Sequence, residues 1–225
     1  MIKQTPKPDV MPIDRVKWYG ELHVSNFINS YYQYRDIHEC GDVKNILIIG
    51  PGQGLDTKIL RGQGFAVTTF DIDATFNPDI LGSVHDLSMF NDLQFDVVIA
   101  SHVLEHIPVP YLDQSLKEIS RVARWSIIYL PLAGRHFHVH LVTGFKGIKM
   151  SILFDYFNFF EKPDGVTAKY CQGQHFWEVG LRGFRIKDLI RRFDKDFGVI
   201  KHYRNQDWNS SYNFILRSRF LNNDN

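Results

Sequence analysis

A glycine turn between two apolar runs most constrains this chain. Ile46 to Ile49 is uninterrupted and ends at Gly50, and glycines recur at Gly52 and Gly54. A second run, Phe65 to Phe70, ends at Asp71, 21 positions after Gly50. That layout predicts strand, glycine turn, helix, then a second strand with a carboxylate at its tip. Glycines let the backbone approach a ligand and aim N–H groups at it. A carboxylate such as Asp71 can accept from both hydroxyls of a ribose. The pattern therefore points to an adenosine-containing ligand. A pyrophosphate-binding G-x-G-x-x-G turn would need glycine at position 55, where the chain has Leu55. This disfavours a nicotinamide-dependent oxidoreductase.

Alternation continues beyond the turn. Strands are expected near Ile80 to His85, at Phe95 to Ala100 and at Trp125 to Leu130. A helix from about Tyr111 to Val122 carries Leu112, Leu116, Ile119 and Val122 on one face. Continuous Val/Ile-rich strands alternating with helices predict a doubly wound, mostly parallel α/β sheet of Rossmann-like type. Seven strands are expected, the last two, Val199 to Arg204 and Tyr212 to Arg217, forming a terminal antiparallel hairpin. A helix from Ile186 to Phe193 precedes them. The whole chain, 1–225, reads as one domain. Residues 1–42 are a tail and a helical cap, the helix running from Trp18 to Cys40. Residues 43–132 form the ligand-binding core, and 133–180 an insertion after strand five. Residues 181–219 hold the last helix and hairpin, and 220–225 a second tail.

Composition excludes several classes. The formal net charge is +1, so no nucleic-acid partner is evident. Two cysteines, Cys40 and Cys171, make no disulfide framework and suggest a reducing, cytoplasmic setting. No apolar run approaches the roughly 20 residues of a membrane span.

Four pieces in order resemble class I S-adenosylmethionine-dependent methyltransferases: Gly50-Pro-Gly-Gln-Gly54, Asp71, Asp86-Leu87, and the stretch from Phe95 to Pro108. The small-molecule branch that includes quinone-biosynthesis enzymes looks most similar. The resemblance covers about 43–132 and, more weakly, the last helix and hairpin. It implies S-adenosylmethionine as cofactor. Gly50, Pro51, Gly52 and Gly54 would lie under the methionyl part, and Asp71 would hold the ribose. Ile72 would pack on the adenine, with Asp86 and Leu87 alongside. Ser101 and His102 would face the sulfonium. One departure is Ile48, where relatives often carry an acid that supports the methionyl amine. That departure keeps open a second reading, a methyltransferase-like binding or scaffold protein without turnover.

The acceptor side falls in the insertion, because ligands of such sheets lie beyond the carboxyl ends of the strands. His136, His138 and His140 alternate and would share one strand face. His136 and His175 are candidate bases, and His138 and Trp177 candidate substrate contacts. Glu105-His106 reads more simply as the start of a helix. With no cysteine or carboxylate completing a ligand set beside the alternating histidines, no metal is expected. Phe154 to Phe160, five aromatics in seven positions, reads as a buried cap helix, a homodimer surface or a platform for an apolar acceptor. The expected activity is methyl transfer to a small or carrier-linked metabolite, most simply to oxygen.

Overall fold

A computed structural model describes residues 23–142, 149–156, 162–165, 167, 169–170, 173–208 and 210–220, with backbone alone for 135–142 and 149–156. Helix α1 (Val24–Ile37) precedes strand β1 (Asn45–Ile49). Helix α2 (Leu55–Gly62) joins β1 to β2 (Ala66–Asp71), which is followed by the short β3 (Ile80–Leu81). Strand β4 (Phe95–Ser101), helix α3 (Val109–Val122) and strand β5 (Ala123–Pro131) come next. A two-stranded ribbon, β6 (Arg135–Val142) with β7 (Lys149–Tyr156), leads towards α4 (Ile186–Phe193), β8 (Phe197–Arg204) and β9 (Ser211–Ser218).

The main sheet has seven strands in the order β3-β2-β1-β4-β5-β9-β8. Its first five are parallel, and β9 runs antiparallel to both β5 and β8. The expected architecture is thus present, with the terminal strands reversed as the hairpin pattern required. Among the described residues no helix is long and apolar enough to cross a membrane.

Strand alternation builds the two apolar layers. Leu47 and Ile49 of β1 face one way, into a cluster with α3 (Leu112, Leu116, Ile119) and α4 (Leu189, Phe193). Ile46 and Ile48 face the other, into a cluster with Tyr32 and Ile37 of α1 and Leu60 of α2. Each fully buried aliphatic contributes roughly 1.5–3 kcal/mol. Ile48, at 1 % exposure, is one of them, so the position where relatives often carry an acid is here part of the packing beneath α1.

One expectation needs correcting. Phe154 to Tyr156 belong to β7, not to a cap helix: Phe154 pairs with Phe137 and Asp155 with His136 across the ribbon. Aromatics at five of seven positions give no clear period to separate helix from strand, and cross-strand pairing decides it. Residues 157–160 lie outside those described, and with them the rest of the proposed dimer or acceptor surface.

Helix α1 is tied down by polar contacts. Buried Asp36 accepts from Arg35 (2.7 Å), from the Tyr129 hydroxyl of β5 (2.7 Å) and from the Tyr203 hydroxyl of β8. Burial and the adjacent carboxylate push both tyrosine hydroxyls upward, so each stays a protonated donor. The Arg35 guanidinium lies 4.2 Å over Tyr32 and 4.9 Å over Tyr203. Tyr32 in turn donates to Asp207 (2.8 Å) in the β8–β9 connection.

Candidate active site

The glycine turn opens at the carboxyl end of β1. Gly50, Gly52 and Gly54 have φ of 69°, 51° and 70°, a region where a side chain is strained. Gly50 donates its N–H to Phe70 C=O (2.9 Å), which joins the turn to β2. A Cβ on Gly50 would stand 2.4 Å from Val103 Cγ2. The turn therefore lies directly against the loop after β4. Pro51 is buried beneath it, and Gly54 precedes the first residue of α2.

Asp71 ends β2, half-buried, and its Oδ1 accepts from the Asp73 N–H (2.9 Å), which fixes the carboxylate's orientation. Ile72 next to it is 74 % exposed, an apolar side chain open for a flat ring to rest on. Asp86 is exposed, and the Ser88 hydroxyl and N–H hold its carboxyl below the usual range. Leu87 differs: it is buried in the core, and its N–H donates to Glu118 (3.0 Å).

Asp56, in the first turn of α2, is the carboxylate nearest in sequence to the glycine turn. Burial pushes it from an ordinary 3.8 to about 6, against the pull of the Thr57 N–H at 2.7 Å. A carboxyl shifted upward keeps in the folded state a proton that the unfolded chain releases. Its contribution to stability is complete below the unfolded value and is lost as pH rises through about 6. Asp56→Asn should therefore gain stability relative to the parent protein as pH rises from about 4 to about 6. Urea unfolding across that window checks this, and a constant difference would refute it.

At the tip of β4, the Ser101 hydroxyl accepts from the Asn29 amide of α1 (2.9 Å). His102 adopts φ of 55°, an uncommon conformation for a non-glycine residue, and is held from several sides. Its N–H donates to Tyr129 C=O (2.9 Å), its ring lies 4.6 Å from Trp208, and Nε2 meets Ser211 Oγ (3.2 Å).

Leu104–His106 is a single 3-10 turn, which places Glu105 and His106 beneath His102. Glu105 is completely buried, and the backbone C=O of the same residue accepts from Phe176 N–H (2.8 Å). That bond brings in the segment around His175. From Glu105 Oε1 the nearest nitrogens of His102, His106 and His175 lie 3.6, 4.0 and 4.0 Å away. Burial raises the Glu105 carboxyl, but His102, His106 and His175 together hold it below the usual carboxylate range. Burial lowers His106.

Of the residues proposed from sequence, the structure brings the glycine turn, Ser101, His102 and His175 to one end of the sheet. Trp177 is 1 % exposed and stacks on Phe184 (4.7 Å between ring centres), so it anchors the loop in the core and does not face an open surface. His136 and His138 sit on β6, and their side chains lie outside the described residues. Sequence reasoning missed Glu105 and His106 as partners of His175, and missed Asn29, Trp208 and Ser211 around β4.

Residues 47–126 match a family model described as a methyltransferase domain. No curated protein matches the chain significantly. Solved structures do. The PH0226 protein from Pyrococcus horikoshii OT3 is 16 % identical with a TM-score of 0.57, covering 89 % of this chain and 93 % of that one. An S-adenosylmethionine-dependent methyltransferase from Clostridium acetobutylicum ATCC 824 is 8 % identical, TM-score 0.57, covering 90 % and 95 %. The 1,6-didemethyltoxoflavin-N1-methyltransferase of Burkholderia thailandensis, with 1,6-didemethyltoxoflavin and S-adenosylhomocysteine bound, is 16 % identical, TM-score 0.51, covering 94 % and 93 %. The fold is the one seen in solved class I S-adenosylmethionine-dependent methyltransferases, and residues 47–126, its central part, match the methyltransferase-domain model.

Proposed function

We propose that this protein is a class I methyltransferase that moves the methyl group of S-adenosylmethionine to a small or carrier-linked metabolite, at oxygen. The observation that carries this reading is the glycine turn pressed against the β4 loop, with Asp71 at the neighbouring strand tip. Gly50, Pro51, Gly52 and Gly54 would receive the methionyl chain and Asp71 the ribose. Ile72 and Asp86 would border the adenine, with the buried Leu87 packed in the core behind them. Ser101 and His102 would stand at the sulfonium. The matched domain and the cofactor product bound in a protein of the same fold support the cofactor assignment.

Methyl transfer from a sulfonium needs in-line placement and exclusion of water more than it needs acid–base help. An oxygen acceptor must also lose a proton. The cluster beside His102 offers groups for this, with His175 oriented by Glu178 (2.7 Å). His136 on β6 is the other candidate base, with His138 assigned to the acceptor side; Trp177, packed on Phe184 in the core, serves only to anchor its loop.

Calorimetric titration with S-adenosylmethionine and S-adenosylhomocysteine tests the reading. Asp71→Ala should weaken either by about 1.5–3 kcal/mol, the value of hydrogen bonds to a charged group. Unchanged affinity in a folded variant would remove Asp71 from the site. Absence of binding to the parent protein would favour the scaffold reading, for which the buried apolar Ile48 is the supporting observation.

A further inference from the structure

Glu105 presents a problem that the methyltransferase reading leaves unsolved. Its side chain is 0 % exposed, and neither carboxylate oxygen has a hydrogen-bond partner. Burying such a group costs several kcal/mol unless it is paired or coordinates a metal. The groups around it are arranged for the second solution. His106 Nδ1 meets the Gln174 backbone C=O (3.1 Å), and His175 Nδ1 meets Glu178 Oε1 (2.7 Å). A carbonyl and a carboxylate only accept, so both Nδ1 atoms carry the proton. In a neutral ring the other nitrogen, Nε2, then carries the lone pair, and both Nε2 atoms lie 4.0 Å from Glu105 Oε1. A cation among these three ligand atoms would satisfy them together. A second partner that fixes the ring and its tautomer is the usual support of a metal-binding histidine.

We propose that Glu105, His106 and His175 hold a divalent transition-metal ion, with zinc best suited to the donor set. One ligand atom from each lies within 4.8 Å of the others. Ligands about 2.0–2.2 Å from a tetrahedral ion stand about 3.3–3.6 Å apart, so small side-chain rotations would close the cage. Two nitrogens and one oxygen leave a fourth position for water or another oxygen donor, as in catalytic zinc sites. His102 Nδ1, 3.6 Å from Glu105 Oε1, borders the cluster on the side of the β4 tip. The site also explains the joining of the 173–178 segment to the β4 loop, since its ligands come from both.

The consequence for catalysis rests on the methyltransferase reading. With an ion bound, His175 Nε2 is a ligand and no longer a base. An acceptor hydroxyl at the fourth position would release its proton to solvent. The oxygen would then bond to the methyl carbon as the carbon–sulfur bond breaks, and sulfur would keep the electron pair as S-adenosylhomocysteine.

Metal-stripped protein titrated with Zn²⁺ and with Co²⁺, by calorimetry and visible absorption, tests the site. One ion per chain is expected, with cobalt bands of a low-coordinate nitrogen–oxygen site. His175→Ala and Glu105→Gln should each weaken binding by about 100-fold or more, and Glu178→Gln, which removes the carboxylate that holds His175, by roughly 10–100-fold. Circular dichroism establishes that each variant is folded, and Glu105→Gln preserves the volume where His175→Ala leaves a gap. Parent affinity equal to that of these variants would overturn the site. Binding lost instead on replacing His136, His138 and His140 would also overturn it. Parallel titration with S-adenosylhomocysteine separates the two readings. Metal without cofactor keeps the metal site and removes the methyltransferase reading. Cofactor without metal does the reverse.

Discussion

Asp36→Ala is expected to destabilise the fold by about 3–5 kcal/mol, the cost of removing one partner from a buried charged network. For a chain of this size that corresponds to a fall in Tm of roughly 6–20 °C. The carboxylate is wholly buried and accepts from Arg35, Tyr129 and Tyr203. Alanine would leave the hydroxyls of Tyr129 and Tyr203 without their shared acceptor and the half-exposed Arg35 without its partner. The three donors belong to α1, β5 and β8, so the damage spreads across the layer that carries α1. Asp36→Asn keeps one acceptor oxygen and should lose less. Tyr203→Phe deletes a single donor and should cost about 1 kcal/mol. Thermal unfolding of the three variants checks the order. Equal, small losses would show that Asp36 is not the hub.

Gly50→Ala is expected to cost about 2–5 kcal/mol, summing a left-handed backbone penalty of about 1–2 with an overpacking penalty of about 1–3. Both causes are present at this residue: φ is 69°, and the new methyl would stand 2.4 Å from Val103 Cγ2. Gly52 separates them. It has φ of 51° but nothing within 4 Å of an added Cβ, so Gly52→Ala should show the backbone penalty alone. Val103→Ala placed in the Gly50→Ala background should recover the clash and leave the backbone cost. Urea midpoints measure all three, and equal effects at Gly50 and Gly52 would show that Val103 yields freely. Because Val103 is two residues from Glu105, the Gly50 methyl should also disturb the histidine cluster while the Gly52 methyl leaves it in place.

The glycine turn and the parallel core were legible because each is a local pattern. Apolar runs of strand length, glycines at fixed offsets and the face formed by Leu112, Leu116 and Ile119 are all readable within a dozen residues. What escaped was non-local. The Tyr203–Asp36 bond spans 167 positions and the His106–Gln174 bond 68, and nothing in the residues between announces either contact. Glu105-His106 looked like a helix start because the charge of a glutamate says nothing about its burial. His175 stands out through its aromatic and amide neighbours, but nothing near it in sequence points to Glu105 and His106, about 70 positions earlier. The ribbon was missed for another reason. Phe154 to Tyr156 satisfy strand and helix alike until Phe137 and His136 are placed opposite them.

The position of β9 has a consequence for how this chain is made. Strand β5 gains its second neighbour from Ser211–Ser218, which follows it in sequence only after β6, β7, α4 and β8. Until the ribosome has released that segment, the nascent sheet ends at β5 with an open row of amides and carbonyls. Ile127, Ile128 and Tyr129, all fully buried in the finished protein, sit along that row. An unpaired apolar edge is the kind of template that recruits other chains. Docking of β9 between β5 and β8 closes that edge, so its arrival is expected to end the interval in which the nascent sheet can pair with other chains.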